Sequence, residues 1–336
     1  MFELNNNPAF NVASLTAAIN VLPNNYGRLR ELNLFPGKGV TTRTIFVEEY
    51  NGVLNLLPTK PVGSPGTTGK SGKRKVRSFV IPHIPHDDVI LPDEVQGVRK
   101  FGTDNQMAGV SDVINDKLQA MRNKHAITLE HLRMGALKGI ILDADASTLY
   151  NLYTEFGIQQ VEVDFALGTS TTNVQGKCFE VVRNIEDNLK GEVMTGVRCL
   201  VSQEFFDKLI SHALVKDAFK YHVGAVQVLG GDPRKNFSFG GITFEEYRGT
   251  ATDPDGAARR FIAANYGHAF PEGTLNSFST SFAPADFNEA VNTIGLEIYA
   301  KIEPRDMGRG YDLHSQSNPL PLCFRPKILT QVKSSN

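Results

Sequence analysis

Cysteine is scarce: Cys178, Cys199 and Cys323 make an odd count, widely spaced, with no Cys-x-x-Cys pair. That pattern excludes a disulfide framework and a cysteine-based zinc site, and three reduced, buried thiols are expected. Long apolar runs are also lacking, and none approaches the roughly 20 residues of a membrane span. Met1 to Pro8 has no basic stretch leading into an apolar one, so no secretion signal is read there and a cytoplasmic product is expected. Excess charge of either sign is missing too, with 35 Lys+Arg against 36 Asp+Glu and a net charge of −1. Global attraction to nucleic acid is thereby excluded, and any DNA contact must be local and non-specific.

What is present suits a globular chain. The 336 residues, 41% apolar and 21% charged, can fill one large or two medium domains. The most informative stretch is Gly63-Ser64-Pro65-Gly66-Thr67-Thr68-Gly69-Lys70-Ser71-Gly72-Lys73-Arg74-Lys75-Val76-Arg77. It ends like a phosphate-binding P-loop, yet the glycine that such a loop needs five residues before Gly69 is Ser64, and Gly63 comes one position too early. The loop must also open a helix whose N-terminus faces the phosphates. Here Gly72 and the β-favouring run Lys75-Val76-Arg77-Ser78-Phe79-Val80-Ile81 follow, with Pro82 at the end. Gly139-Ile140-Ile141-Leu142-Asp143 resembles a strand ending in a magnesium-binding aspartate. The alternative that survives is therefore a P-loop-like nucleotide-binding enzyme using Lys70, Ser71 and Asp143. The favoured expectation is the glycine-rich basic tip of a long β-hairpin.

Along the chain, residues 1–38 read as an N-terminal arm with short helices at Asn11–Asn20 and Tyr26–Leu34. Such an arm has too little apolar surface to fold alone and must dock. Residues 39–92 read as the hairpin: strands at Thr41–Tyr50 and Val53–Pro58 run out, and Lys75–Ile84 runs back as one strand. Lys60, Lys70, Lys73, Arg74, Lys75 and Arg77 cluster at its tip with no acid among them. A ribbon of this length is marginal in water by itself, so support from another subunit is expected, with these six cations as the contact. Residues 104–139 give the strongest helical periodicity, through Val110, Ile114, Leu118, Met121, His125, Leu129, Leu132 and Ala136. Gly135 and Gly139 are expected to kink or end that helix. Residues 139–165 read as a pair of strands, Ile140–Leu142 against Gln160–Phe165. Beyond them the pattern predicts a helix over 172–189, a strand over 197–201, a helix capped by Ser202, one or two further turns over Ala213–Tyr221, and strands over 236–248, 258–265, 295–303 and 317–331.

Nothing among the titratable residues makes a good active site. His83, His86, Asp87 and Asp88 could offer ligands to a metal, but Pro82 and Pro85 prevent a helix and the run is more simply the end of the returning strand. Asp143, Asp145 and Glu155 are read as solvated loop carboxylates before acid–base groups. There is no Gly-x-Ser-x-Gly elbow, and no aromatic residues interleave the basic tip as a single-strand groove would require. No cofactor and no enzyme activity are expected.

The order of elements is then specific: a docking arm, a basic hairpin, a spine helix beside a small sheet, an α/β middle and a C-terminal return to the sheet. Three stretches carry a resemblance: Leu200–Leu209 with Val215–Phe219, Gly241–Gly249 with Phe261–Ala263 and Ala269–Thr274, and Ser315–Leu329. The chain resembles the major capsid protein E family of tailed bacteriophages, the lambda-type branch of the Hong Kong 97-type capsid fold. That resemblance implies an α+β fold and a virion structural protein made late in infection. It implies self-assembly, through a procapsid, of hexamers and pentamers into an icosahedral shell around packaged double-stranded DNA. It also implies scaffold, portal and decoration proteins as partners, weak DNA contact, no membrane, and assembly in the host bacterial cytoplasm. Residues 93–165 with 290–336 would form the peripheral domain and 166–289 the axial domain. The hairpin tip departs from a stiff extended loop in its glycine and lysine content.

Overall fold

The structure, a computed structural model, describes residues 12–21, 27–50, 74–94, 110–229, 232–253 and 255–335. The arm supplies α1 (Val12–Val21) and the single-turn α2 (Arg28–Glu31). Next come β1 (Gly37–Gly39), β2 (Thr44–Tyr50), β3 (Arg74–Val80), β4 (Ile84–Ile90) and the long helix α3 (Val110–Lys138). The middle holds β5 (Ile140–Leu142), β6 (Thr148–Asn151), α4 (Leu152–Phe156), β7 (Val161–Asp164), α5 (Val174–Leu189), β8 (Gly196–Val201), α6 (Gln203–Ser211) and α7 (Ala213–Leu229). Strands β9 (Phe237–Phe239), β10 (Ile242–Glu246), β11 (Thr250–Thr252), β12 (Ala258–Arg260), β13 (Tyr266–Glu272) and β14 (Phe278–Phe282) follow. The chain ends in β15 (Tyr299–Pro304), β16 (Tyr311–Ser317), β17 (Pro319–Cys323) and β18 (Thr330–Lys333).

Helix α3 is the frame. Its apolar residues Ile114, Leu118, Met121, Leu129, Leu132 and Leu137 recur at helical spacing and are all buried. The helix runs through Gly135 and ends after Lys138. A Cβ at Gly135 would sit 2.9 Å from the Cα of Ile141, so glycine lets β5 fold straight back across the last turn. Gly139 takes φ +80 and stops the helix as a left-handed residue after its end.

Unusually, α3 also buries polar side chains, and each is bonded to a different element. Arg122 donates to the Ile19 carbonyl of α1 at 2.7 Å. His125 Nε2 lies 2.9 Å from Ser315 Oγ on β16. Glu130 Oε1 accepts from the Leu29 amide of α2 at 2.8 Å and from the Tyr247 hydroxyl at 3.2 Å. Arg133 Nε reaches Thr280 Oγ1 on β14 at 3.4 Å. These bonds offset part of the cost of burying such groups, although Arg122 Nε and Glu130 Oε2 find no hydrogen-bond partner among the described residues. They also fix where each partner docks along the helix.

Two main sheets flank this frame. The order β7-β18-β13-β8-β10-β9 forms a six-stranded mixed sheet, with β7–β18 and β8–β10 parallel. It packs Phe165, Phe205, Phe206, Phe244 and Phe270 into the main core. Helix α6 starts at the expected cap, where Ser202 Oγ accepts from the Phe205 amide at 3.3 Å. The order β15-β16-β4 forms an antiparallel sheet whose apolar side meets α1 and α3 in a second core holding Leu15, Ile19, Ile90, Ile114, Leu118 and Leu313. A third sheet, β1-β14-β17, and the pairs β2–β3, β5–β6 and β11–β12 complete the pairing.

Several expectations need correction. The strand at Ile140 does not pair with Gln160–Phe165: β5 pairs with β6, and β7 joins β18 in the large sheet. Short β6 was hidden because Thr148–Asn151 runs straight into α4 without a breaker. The returning strand is two strands, since Pro82 ends the first and β4 turns to pair with β16. Helix α7 runs 17 residues, longer than the turn or two expected. Strand β13 passes through the middle of the large sheet despite Pro271. The strand expected at Val53–Pro58 and the first residues of the expected helix, 104–109, lie outside the described residues. The three cysteines are free and buried as expected; burial pushes the Cys178 and Cys323 thiols up to about 12 and raises the Cys199 thiol well above its ordinary value.

Truncating Leu118 to Ala should cost roughly 2–5 kcal/mol, because the site is 1% exposed between α3 and the sheet of β4. Urea unfolding read by circular dichroism measures it. Burial lowers the His125 pKa from 6.5 to about 4, with His86, His314 and Lys124 adding repulsion. The unfolded chain therefore binds the extra proton first. The stabilising effect of neutral His125 is complete above pH 6.5 and is lost as pH falls toward 4, by up to roughly 3 kcal/mol. Thermal unfolding at pH 7 and pH 4.5 should show a smaller acid-induced drop in Tm for His125→Gln than for the unmodified chain.

Candidate intersubunit surface

The root of the hairpin is a two-stranded ribbon, and its alternation sorts side chains onto two unlike faces. Strands β2 and β3 pair antiparallel from Thr44 opposite Val80 to Tyr50 opposite Arg74. On one face, Ile45, Val47 and Phe79 turn toward the body, and Phe79 is buried. Its ring meets Tyr150 edge-on at 5.3 Å and stacks near Phe156 at 6.4 Å. The Tyr150 hydroxyl accepts from the Val80 amide at 2.8 Å and donates to its carbonyl at 2.9 Å. Arg77 lies on the same face. Its Nε donates to the Glu155 carbonyl at 2.7 Å, and its guanidinium lies 4.6 Å from the Phe156 ring centre.

Among the described residues nothing covers the other face. Phe46, Val76 and Val80 are 66%, 58% and 59% exposed. Exposed apolar side chains aligned on one face of a ribbon mark a surface that another body covers. The strand edges add to this, since among the described residues β2 and β3 alone make up the sheet and each has a row of backbone groups without a strand partner.

The clamp for the root is α4, which sequence reasoning missed. A five-residue helix has no stripe to recognise, but its caps were legible: Asn151 accepts from the Tyr153 and Thr154 amides, and Gly157 ends the helix at φ 63.

Of the six nominated cations, Lys60, Lys70 and Lys73 lie outside the described residues. Arg74 is described only as the end of β3. Lys75 is exposed, whereas Arg77 is spent on holding its own root to α4.

The enzyme and metal candidates are scattered. Residue 74 opens a strand, where a P-loop needs a helix. Asp143 and Asp145 close the turn between β5 and β6, accepting from the Ala144 and Ser147 amides at 2.7 and 2.8 Å. The four residues of the His83–Asp88 run diverge along β4 and its approach. His83 faces Asn318, His86 faces Lys124, Asp87 pairs with His314, and Asp88 pairs with Lys117. Among the described residues no group of three His, Cys, Asp or Glu could hold a metal. Also among them, no helix is long and apolar enough to cross a membrane.

Comparison with known proteins matches this architecture. The family described as "Phage major capsid protein E" matches residues 11–334. The major capsid protein of Pseudomonas phage KPP10 is 33% identical over 99% of both chains. That of Salmonella phage Felix O1 is 29% identical, covering 97% of this chain and 96% of the relative. Among solved structures, the putative capsid protein of an Escherichia coli CFT073 prophage superposes with a TM-score of 0.61 at 15% identity, covering 97% and 99% of the two chains. A capsid structure of cyanophage P-SCSP1u gives 0.51 at 10% identity over 94% and 90%. Docked arm, ribbon, spine helix and α/β body are thus the α+β capsid fold that the sequence suggested. The chain belongs to the phage major capsid protein E family, and it is a structural protein of the phage capsid, not an enzyme.

Proposed function

We propose that this chain assembles through hexamers and pentamers into an icosahedral shell around double-stranded DNA, with the hairpin of each copy lying on the next. The carrying observation is the ribbon root. One face is clamped to its own body by Phe79 and Arg77, while the opposite face presents Phe46, Val76 and Val80 to solvent. A clamped root aims the ribbon and leaves its apolar face for a second body. Many such modest contacts, repeated by symmetry, add up to a stable shell.

In this reading the peripheral domain is built on α3, β15 and β16, from residues 93–165 with 290–336, with β4 of the hairpin segment completing its sheet, and the axial domain from 166–289. Strands β7 and β18 cross that division to join the six-stranded sheet, which ties the two parts together. Lys60, Lys70, Lys73, Arg74 and Lys75 supply charge to the neighbouring copy; Arg77 serves the root. Scaffold, portal and decoration proteins are the other partners, DNA contact is weak and non-specific, and assembly takes place in the host bacterial cytoplasm.

Expression of the chain should give closed shells or hexameric rings in negative-stain electron microscopy. Replacing Lys70, Lys73, Arg74 and Lys75 together by Ala should cut particle yield at least tenfold while the melting temperature stays within a few degrees. Normal yield from that variant would sink the role given to the tip. Salt should also weaken assembly, since exposed charge pairs are screened.

A further inference from the structure

Beside the hairpin root lies a cleft that the capsid reading does not use. Strands β1 and β2 form one wall; the ends of α4 and α5 and the segments 275–281 and 324–327 form the others. Its volume is about 1130 Å³. Pockets for drug-sized molecules hold roughly 300–1,000 Å³, so this one has room for a stretch of polypeptide.

The charge of the cleft has one sign. Lys38, Lys190, Arg325 and Lys327 line it, and among the described residues no Asp or Glu does. Arg325 is committed, since it donates to the Leu189 carbonyl at the end of α5 and lies 3.4 Å from Glu192. Glu192 also accepts from the Asn276 amide at 2.6 Å and the Ser277 hydroxyl at 2.7 Å, which braces that rim. The three lysines are not committed. All are exposed, and among the described residues none has a carboxylate within 4.0 Å. Lys190 is also out of place. It follows α5 at φ 50, the left-handed conformation that a helix end ordinarily gives to Gly or Asn. A lysine held there puts a cation on the cleft wall where glycine would fit the backbone without strain.

The rest of the lining decides which anion fits. Val40, Ile158 and Leu275 are on it, and Leu275 is 82% exposed. Duplex DNA would bring phosphates but nothing to cover such side chains. Single-stranded nucleic acid stacks successive bases on free rings. Here Phe278 is buried and Phe156 is taken up by Arg77 and Phe79, so of the phenylalanines on the lining only Phe46 is well exposed. An acidic peptide with apolar residues between its carboxylates complements both halves. This chain has no such peptide to spare. Residues 51–73 hold Lys60, Lys70 and Lys73 and no acid, so the hairpin tip of either this copy or a second one is repelled. Outside the described residues the sequence holds two carboxylates, Glu3 and Asp104, far apart.

We propose that this cleft is a docking site for an acidic, partly apolar peptide segment of a different protein. Its carboxylates pair with Lys38, Lys190 and Lys327, and its apolar side chains cover Leu275. The inference goes beyond the capsid reading, because it concerns a non-identical partner and needs no closed shell.

Fluorescence anisotropy of the full-length chain tests it, with a fluorescein-labelled peptide of alternating Glu and Leu as the probe. The probe should bind, and its Gln–Leu counterpart should bind roughly tenfold more weakly. Lys38→Glu with Lys327→Glu should lower affinity roughly tenfold while the melting temperature stays within a few degrees. Lys190→Gly is the sharper variant, because glycine suits the backbone there. It should hold or raise the melting temperature and still weaken binding roughly threefold, which a purely structural role for Lys190 would not do. No binding of the Glu–Leu probe, or equal binding of the Gln–Leu peptide, would overturn the proposal. Loss of binding on Lys70→Ala with Lys73→Ala, with binding kept by the Lys38, Lys327 variant, would place the peptide on the hairpin tip and overturn it too. Tighter binding of single-stranded or duplex DNA, lost with the same cleft lysines, would give the cleft to nucleic acid and likewise overturn it. Failure of the unmodified chain to form shells bears on the capsid reading alone.

Discussion

Burial of the spine helix α3 is the constraint on which the rest of this structure depends. A helix of 29 residues cannot be covered by one layer, and here α1, α2, β4, β5, β14 and β16 all touch it. Apolar packing supplies the drive, since Ile114, Leu118, Met121, Leu129, Leu132 and Leu137 leave water together. The register comes from polar groups. Arg122, His125, Glu130 and Arg133 are buried on the same helix, and each makes a bond that needs one particular element at one particular height. Misplacing an element would strand a buried polar group, at a cost of about 1–3 kcal/mol or more for a charge.

The arm shows how this works. Its two short helices could not persist alone. They are held because Thr16 bonds to Ala300 of β15 and Asn20 to the Ile298 carbonyl just before it, the Ile19 carbonyl takes Arg122, and the Leu29 amide takes Glu130. Arg28 then extends the tie, meeting Glu245 through Nε at 2.6 Å, while Arg198 reaches the same carboxylate at 2.7 Å. A segment with little core of its own thereby bridges both main sheets. The same economy applies to the ribbon, whose root needs only Phe79, Arg77 and the Tyr150 hydroxyl to be aimed.

Much of this was legible in the sequence, for physical reasons. The period of 3.6 gave α3, α5 and α6 because each buries one wide stripe, and Ser202 marked a helix start by its hydroxyl. The hairpin was legible from β-favouring residues flanking a glycine- and lysine-rich stretch. Pairing was not: nothing local tells Ile140–Leu142 to choose Thr148–Asn151, or β7 to lie beside a strand 169 residues later. Strand β13 was missed because Pro271 argues against a central strand, and there the sheet tolerates it. Of the candidate surface, the charge of the tip was readable, but the bare face of Phe46, Val76 and Val80 needed the register of β2 on β3. Arg77 looked like one more tip cation until the ring of Phe156 and the Glu155 carbonyl explained it.

The account makes the ribbon the link between copies and the spine helix the frame that aims it. A cryo-electron microscopy map of assembled particles tests this most directly. The expected result is continuous density from the β2–β3 root of one copy onto the surface of its neighbour, with Phe46, Val76 and Val80 covered. Density showing each ribbon folded back on its own body, with that face open to solvent, would contradict it.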